Sequence, residues 1–114
     1  MALSNAAKNA MLDAVLQGSI TISLHTADPG ATGANELTGG GYARQSATFS
    51  LASGGSASNS GTVTWTNLPA CTITHMGIWK SGTFQCGVSA TAARTIQAGD
   101  GTFINPGALQ LTVV

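Results

Sequence analysis

From residue 19 onward the apolar residues recur at every second position in short runs, and the runs are cut by glycine, proline, asparagine and serine. Ile20, Ile22 and Leu24 alternate with Thr21, Ser23 and His25; Val63 and Trp65 flank Thr64; Phe84, Cys86 and Val88 alternate; Leu109, Leu111 and Val113 close the chain. A period of two places alternate side chains on opposite faces, so each run predicts a half-buried β-strand. Turn signals recur about every 8–12 residues, the spacing of a sandwich or barrel. The pattern contains no βαβ unit, which argues against a parallel α/β sheet.

Only the beginning of the chain has another period. Ala7, Ala10, Met11, Ala14 and Val15 follow Ser4 at helical spacing, and Leu12 and Leu16 widen the stripe. Ser4 is a natural N-cap and Gly18 a natural stop, so a helix is predicted over about residues 4–17. At about three and a half turns it is too short to stand alone in water and must dock its apolar stripe. The expected fold is therefore all-β: an antiparallel β-sandwich of about seven or eight short strands behind one helix. With 114 residues the chain has the size of one domain, taken as residues 1–114.

Strands are predicted over residues 19–25, 42–49, 62–66, 72–80, 83–90, 94–97, 102–104 and 108–114, with flexible loops at 26–41 and 50–61. Ser81-Gly82 reads as a two-residue hairpin turn. In that register Cys86 faces Gly77, six residues or ~20 Å along the strand from Cys71, too far for a disulfide. The apolar phase shifts between Ile73 and Met76-Gly77-Ile78, which predicts a β-bulge near Gly77.

Composition narrows function. Charged residues make up 7% of the chain, four basic and four acidic, for a formal net charge of zero, and mean hydropathy is +0.22. Such a chain cannot build the basic surface that neutralises nucleic-acid phosphates or binds anionic lipid. With 43% hydrophobic residues it is not a disordered chain either. Lys8 and Asp13 interrupt any signal-peptide core, and no run spans a membrane, so the expectation is a soluble product made in the cytosol. Solitary soluble proteins usually keep a charged surface. A surface of Ser, Thr, Asn, Gln and Gly predicts burial against other subunits, with a homo-oligomer, a trimer for preference, as the expected state.

The residues that could carry chemistry are few: His25, His75, Asp28, Glu36, Asp100, Cys71 and Cys86. None stand at metal-ligand spacing, and no nucleophile elbow is present. Both histidines read as hydrogen-bonded strand residues. Asp28, Asn35 and Glu36 share a loop and could meet on Ca²⁺, but the ordered acidic series of a calcium loop is missing, and Asp28 reads as an Asx-turn residue. Lys8 and Asp13 read as solvated. Trp65 and Trp79, a conceivable carbohydrate-stacking pair, read as core. No catalytic, cofactor or metal residue is assigned, and no enzyme is expected.

Residues 1–13 (MALSNAAKNAMLD), 23–37 (SLHTADPGATGANEL), 41–45 (GYARQ) and 74–79 (THMGIW) carry a resemblance. The chain resembles a family of small tailed-bacteriophage virion proteins, commonly labelled tail-fibre or minor structural proteins. The likeness runs over nearly the whole chain and is most specific up to Arg44. It implies a structural role in the particle and no catalytic residue. The expected function is a capsid decoration or cement subunit that clamps the major capsid protein or other virion proteins. The alternatives are a tail or tail-tip fibre component and a host-surface, glycan-binding module. The loop 26–41, with the helix, is the expected partner contact; Asp28, Pro29, Gly30, Asn35, Glu36, Tyr42 and Arg44 are its candidate residues.

Overall fold

Ser4 starts the helix as expected: its hydroxyl oxygen accepts the Ala7 N–H at 3.1 Å, and α1 runs over Asn5–Leu16. Gln17 leaves the helix in extended conformation and Gly18 takes φ +103°, where a side chain would be strained. The docking face is narrower than the periodicity suggests. Leu12 and Leu16 are buried and Val15 packs beside them, whereas Ala10, Met11 and Ala14 face solvent. The helix is held on its polar side too. Asp13, expected to be solvated, accepts the Ala52 N–H at 2.8 Å, and Asn9 accepts that of Gly55 at 2.9 Å. Lys80 donates to the Ala14 carbonyl at 2.6 Å, placing a cation at the negative end of the helix.

The computed structural model describes residues 2–113, Thr91 by its backbone alone. Met1 and Val114, the ends of the expected domain and of the last expected strand, lie outside them. Eight strands follow the helix among the described residues: β1 (Ile20–His25), β2 (Gln45–Ala47), β3 (Ser56–Ser58), β4 (Val63–Trp65), β5 (Cys71–Lys80), β6 (Thr83–Ile96), β7 (Thr102–Ile104) and β8 (Gln110–Thr112). One antiparallel sheet has the order β2-β1-β5-β6, and two ribbons pair β3 with β8 and β4 with β7. The architecture is the expected antiparallel sandwich with an N-terminal helix. Its core joins Ile20, Ile22, Leu24 and Ile78 of the sheet to Leu12 and Leu16 of the helix and to Val63, Trp65 and Leu109 of the ribbon side.

Several expectations need correction. Residues 50–61 are not a flexible loop. They contain β3 and Asn59, 2% exposed, whose side chain donates to the carbonyls of Gly61 (2.8 Å) and Asn105 (3.0 Å) and accepts the Leu109 N–H (2.9 Å). A buried amide with three good partners pins the segment to the chain's end. Of the strand expected over 42–49, only Gln45–Ala47 pairs in a ladder, with Phe49 bridged to Asn59. The separate strand at 94–97 is the end of β6.

The β5–β6 hairpin turns at Ser81 and Gly82, both at positive φ (50° and 81°), as a two-residue turn of the right twist requires. Cys86 faces Ile78, however, and Gly77 faces Gly87. The reason is that Gln85 is an extra residue on β6, so the irregularity lies across from the expected place. A larger one follows. Ile73 pairs with Arg94 and His75 with Ser89, so four β6 residues stand against Thr74 alone. Cys71, opposite Ile96, is seven residues along β5 from Ile78, roughly 23 Å, and both thiols are free. Burial pushes both thiols up from the ordinary value.

Candidate functional site

β1 was expected to bury one face, yet Ser23 and His25 are both 0% exposed. Their face is covered by residues 26–37, folded back as a closed loop. Thr26 N–H donates to Asn35 O (3.2 Å), Gly33 and Ala34 N–H both reach Pro29 O (3.1 and 3.0 Å), and Leu37 N–H returns to Leu24 O (2.8 Å). Asp28 accepts the Gly30 N–H at 2.8 Å, the expected Asx turn, and Asn35 Nδ2 donates to Asp28 O at 2.9 Å. Pro29 is buried against Gly87, where a methyl group would strike its ring, and Gly33 lies on the Trp79 indole.

Beneath the loop runs a chain of polar groups whose direction is forced. The Trp79 indole can only donate, and does so to Ser23 Oγ at 2.8 Å. The Ser23 hydroxyl then donates to His25 Nε2 at 2.6 Å, and His25 Nδ1–H donates to the Ala34 carbonyl at 2.7 Å. The network thus assigns His25 as the neutral Nδ1–H tautomer. A hydroxyl hydrogen-bonded to an imidazole is the start of a nucleophilic pair, but both groups are sealed from solvent and no substrate reaches them. Here the pair fastens the loop base to the sheet.

Glu36, Tyr42 and Arg44 meet at the loop's other end. Tyr42 donates to Glu36 Oε2 at 2.7 Å and accepts the Leu24 N–H at 3.0 Å. Arg44 Nε and Nη2 grip Glu36 Oε2 and Oε1 at 3.0 and 2.9 Å, a bidentate pair, and the guanidinium lies 3.5 Å over the Trp79 ring. Trp79 meets Phe84 edge to face at 5.1 Å. Burial tends to raise the Glu36 carboxyl, but the hydrogen bonds from Arg44 and Tyr42 outweigh it and hold the group below its usual value. Burial and the same hydrogen bond push the Tyr42 phenol well up.

The seven candidate contact residues thus divide. Glu36, Tyr42 and Arg44 bind one another and the sheet, Pro29 is buried, and Asp28, Gly30 and Asn35 remain exposed on the loop. Glu36 bonds Arg44 and Tyr42 while Asp28 closes its own turn, so the two do not converge on a shared cation site. Carbohydrate stacking on the two tryptophans is also ruled out: Trp65 is 1% exposed and Trp79 lies under Arg44. Ser23 and Gly77 were missed from sequence. The clue was the glycine opposite a serine at the centre of two paired strands, where a small residue leaves room for a polar chain.

His25 is expected to make the fold acid-sensitive. Desolvation by burial is the main cause that holds its pKa below the ordinary 6.5. The hydrogen bond to the Ala34 carbonyl and, after it, Glu36 pull the other way, and His75 opposite on β5 and Arg44 add to the lowering. The unfolded chain therefore binds a proton that the folded one refuses, so stability is full above about pH 6.5 and falls as pH drops below it toward the folded value. Urea midpoints are expected to be lower at about pH 5.5 than at about pH 7.5. Equal midpoints would show that His25 accepts its proton in place.

The molecule is thus an antiparallel β-sandwich whose loop 26–37 is closed by its own hydrogen bonds and fastened to the sheet. Residues 2–112 match the family model described as Podophage GP4 fiber I protein gp80, and the chain belongs to that family of tailed-phage structural proteins. No curated protein matches it.

Proposed function

We propose that the chain is a non-enzymatic subunit of the virion that works through protein–protein contacts, as a capsid decoration subunit that clamps neighbouring proteins of the particle. The observation that carries this reading is a chain with 7% charged residues whose described residues fold into a body of 45 × 26 × 25 Å. Neutral faces are cheap to desolvate against a neighbour. A trimer is the proposed state; β6, a strand of 14 residues at the sheet's margin with Arg94 as its charged residue, supports self-association but not that number. Among the described residues no helix is long and apolar enough to cross a membrane. A second reading, a seat on a tail fibre, is favoured by the family's description as a fibre protein.

Quantitative mass spectrometry of purified particles separates the two. A copy number in proportion to the major capsid protein supports decoration, and one in proportion to the tail proteins supports the fibre seat. Absence from particles overturns both. Under either reading the loop tip is the proposed contact. Shortening the loop is a poor test, because Ala34 holds His25. Ala31→Arg and Thr32→Lys alter exposed positions instead. Both are expected to leave thermal unfolding unchanged and to lower incorporation several-fold. Incorporation equal to the parent's would remove the tip from the interface.

A further inference from the structure

On the ribbon side of the sheet a cavity of about 380 Å³ lies between β5–β6 and β4–β7. Its origin is the large irregularity of β6. Four residues oppose Thr74 there, and the small side chains of Ala90 and Ala92 leave space against the β4–β7 ribbon unfilled. Irregularities of this kind recur beside binding sites, and the volume lies in the range of small-molecule pockets. Phe103, one of its walls, is 53% exposed, so the space opens to solvent.

The lining has a definite chemistry. Trp65, Met76 and Ile104 make apolar walls. Among the described residues Arg94 is the only charged one in the lining, and no carboxylate lines the space. Arg94 Nη1 donates to Thr102 Oγ1 at 2.6 Å, which orients the guanidinium and leaves its other N–H groups without a protein acceptor among the described residues. The Trp65 indole, part of the wall, carries a buried Nε1–H with no partner among the described residues. The site thus sets one oriented positive charge beside apolar walls, and the complement is a negatively charged acceptor on an apolar body.

We propose that this cavity binds an apolar organic carboxylate, with Arg94 pairing the carboxylate and the hydrocarbon part against Trp65, Met76 and Ile104. The Arg94 fork suits two carboxylate oxygens, and one wall already fixes it through Thr102.

The test uses the two indole N–H signals of the ¹⁵N-labelled protein, assigned with Trp79→Phe. Titration with 4-phenylbutyrate is expected to shift the Trp65 signal saturably and that of Trp79 little. The neutral 4-phenylbutyramide is expected to bind about tenfold more weakly, the usual weight of a charge-assisted hydrogen bond. Arg94→Gln is expected to abolish the preference for the acid, and Ala90→Phe, which fills the space, to abolish both titrations. Three results would overturn the proposal: no saturable shift, equal binding of acid and amide by the unmodified protein, or a Trp65 shift that follows protein concentration instead of ligand. The last would mean that a second copy occupies the cavity. The acid–amide comparison needs no variant, so it decides even if Arg94→Gln fails to fold.

Discussion

Trp65→Ala is expected to destabilise the protein by about 3–5 kcal/mol, the range for removing a buried large aromatic side chain. Trp65 is 1% exposed and joins the β4–β7 ribbon, where it faces Thr102, to the main core. No hydrogen bond is lost with it, since its Nε1 has no partner among the described residues. The loss is therefore one of packing, and Trp65→Phe, which keeps most of the ring volume, is expected to cost less than half as much. For a chain of this size the alanine variant should melt at least about 10 °C below the parent. A drop of only a few degrees by calorimetry would mean that the ribbon stays docked without its anchor.

Gly77→Ala is the second large effect, and its cause is different. Gly77 sits on β5 directly opposite Ser23, on the face closed by the loop. A methyl group there would collide with Ser23 Oγ and come within 2.7 Å of His25 Nε2 and 3.1 Å of Phe84. Overpacking costs about 1–3 kcal/mol. Breaking the Trp79–Ser23–His25 chain leaves buried polar groups unmatched for about 1–3 kcal/mol more. The expected loss is about 2–6 kcal/mol in urea unfolding, with the Trp79 indole N–H signal shifted toward that of an unbonded indole. A variant as stable as the parent, with that signal unmoved, would show that β5 yields at Gly77 without disturbing the chain.

These two positions mark how far the sequence was legible. Trp65 was readable as core from the alternation of Val63, Thr64 and Trp65, because a side chain's face on a strand follows from its parity alone. Gly77 was readable only as a phase disturbance. The polar chain it makes room for joins residues from β1, β5 and the loop, and no local pattern links Ser23 to Trp79 across 56 positions. Asn59 is similar. In a run of Ser, Gly, Ala and Asn it looks like any loop residue, yet its contacts with Asn105 and Leu109 turn that run into ordered structure.

What the sequence determined by itself was local: one helix from Ser4, strands from period-two runs, a turn at Ser81-Gly82, an Asx turn at Asp28, and a surface with little charge. Each follows from backbone preference and spacing over a few residues, which the chain carries before it folds. Tertiary structure alone decided which way the second face of β1 was covered. The strand period marks Ser23 and His25 as outward, but the loop closes over them because Pro29 seats on Gly87 and Glu36 finds Arg44 and Tyr42. The register of β6 was likewise a tertiary outcome. Gln85 and the residues opposite Thr74 are extra only in relation to β5, and a relation between two strands cannot be read from either one alone.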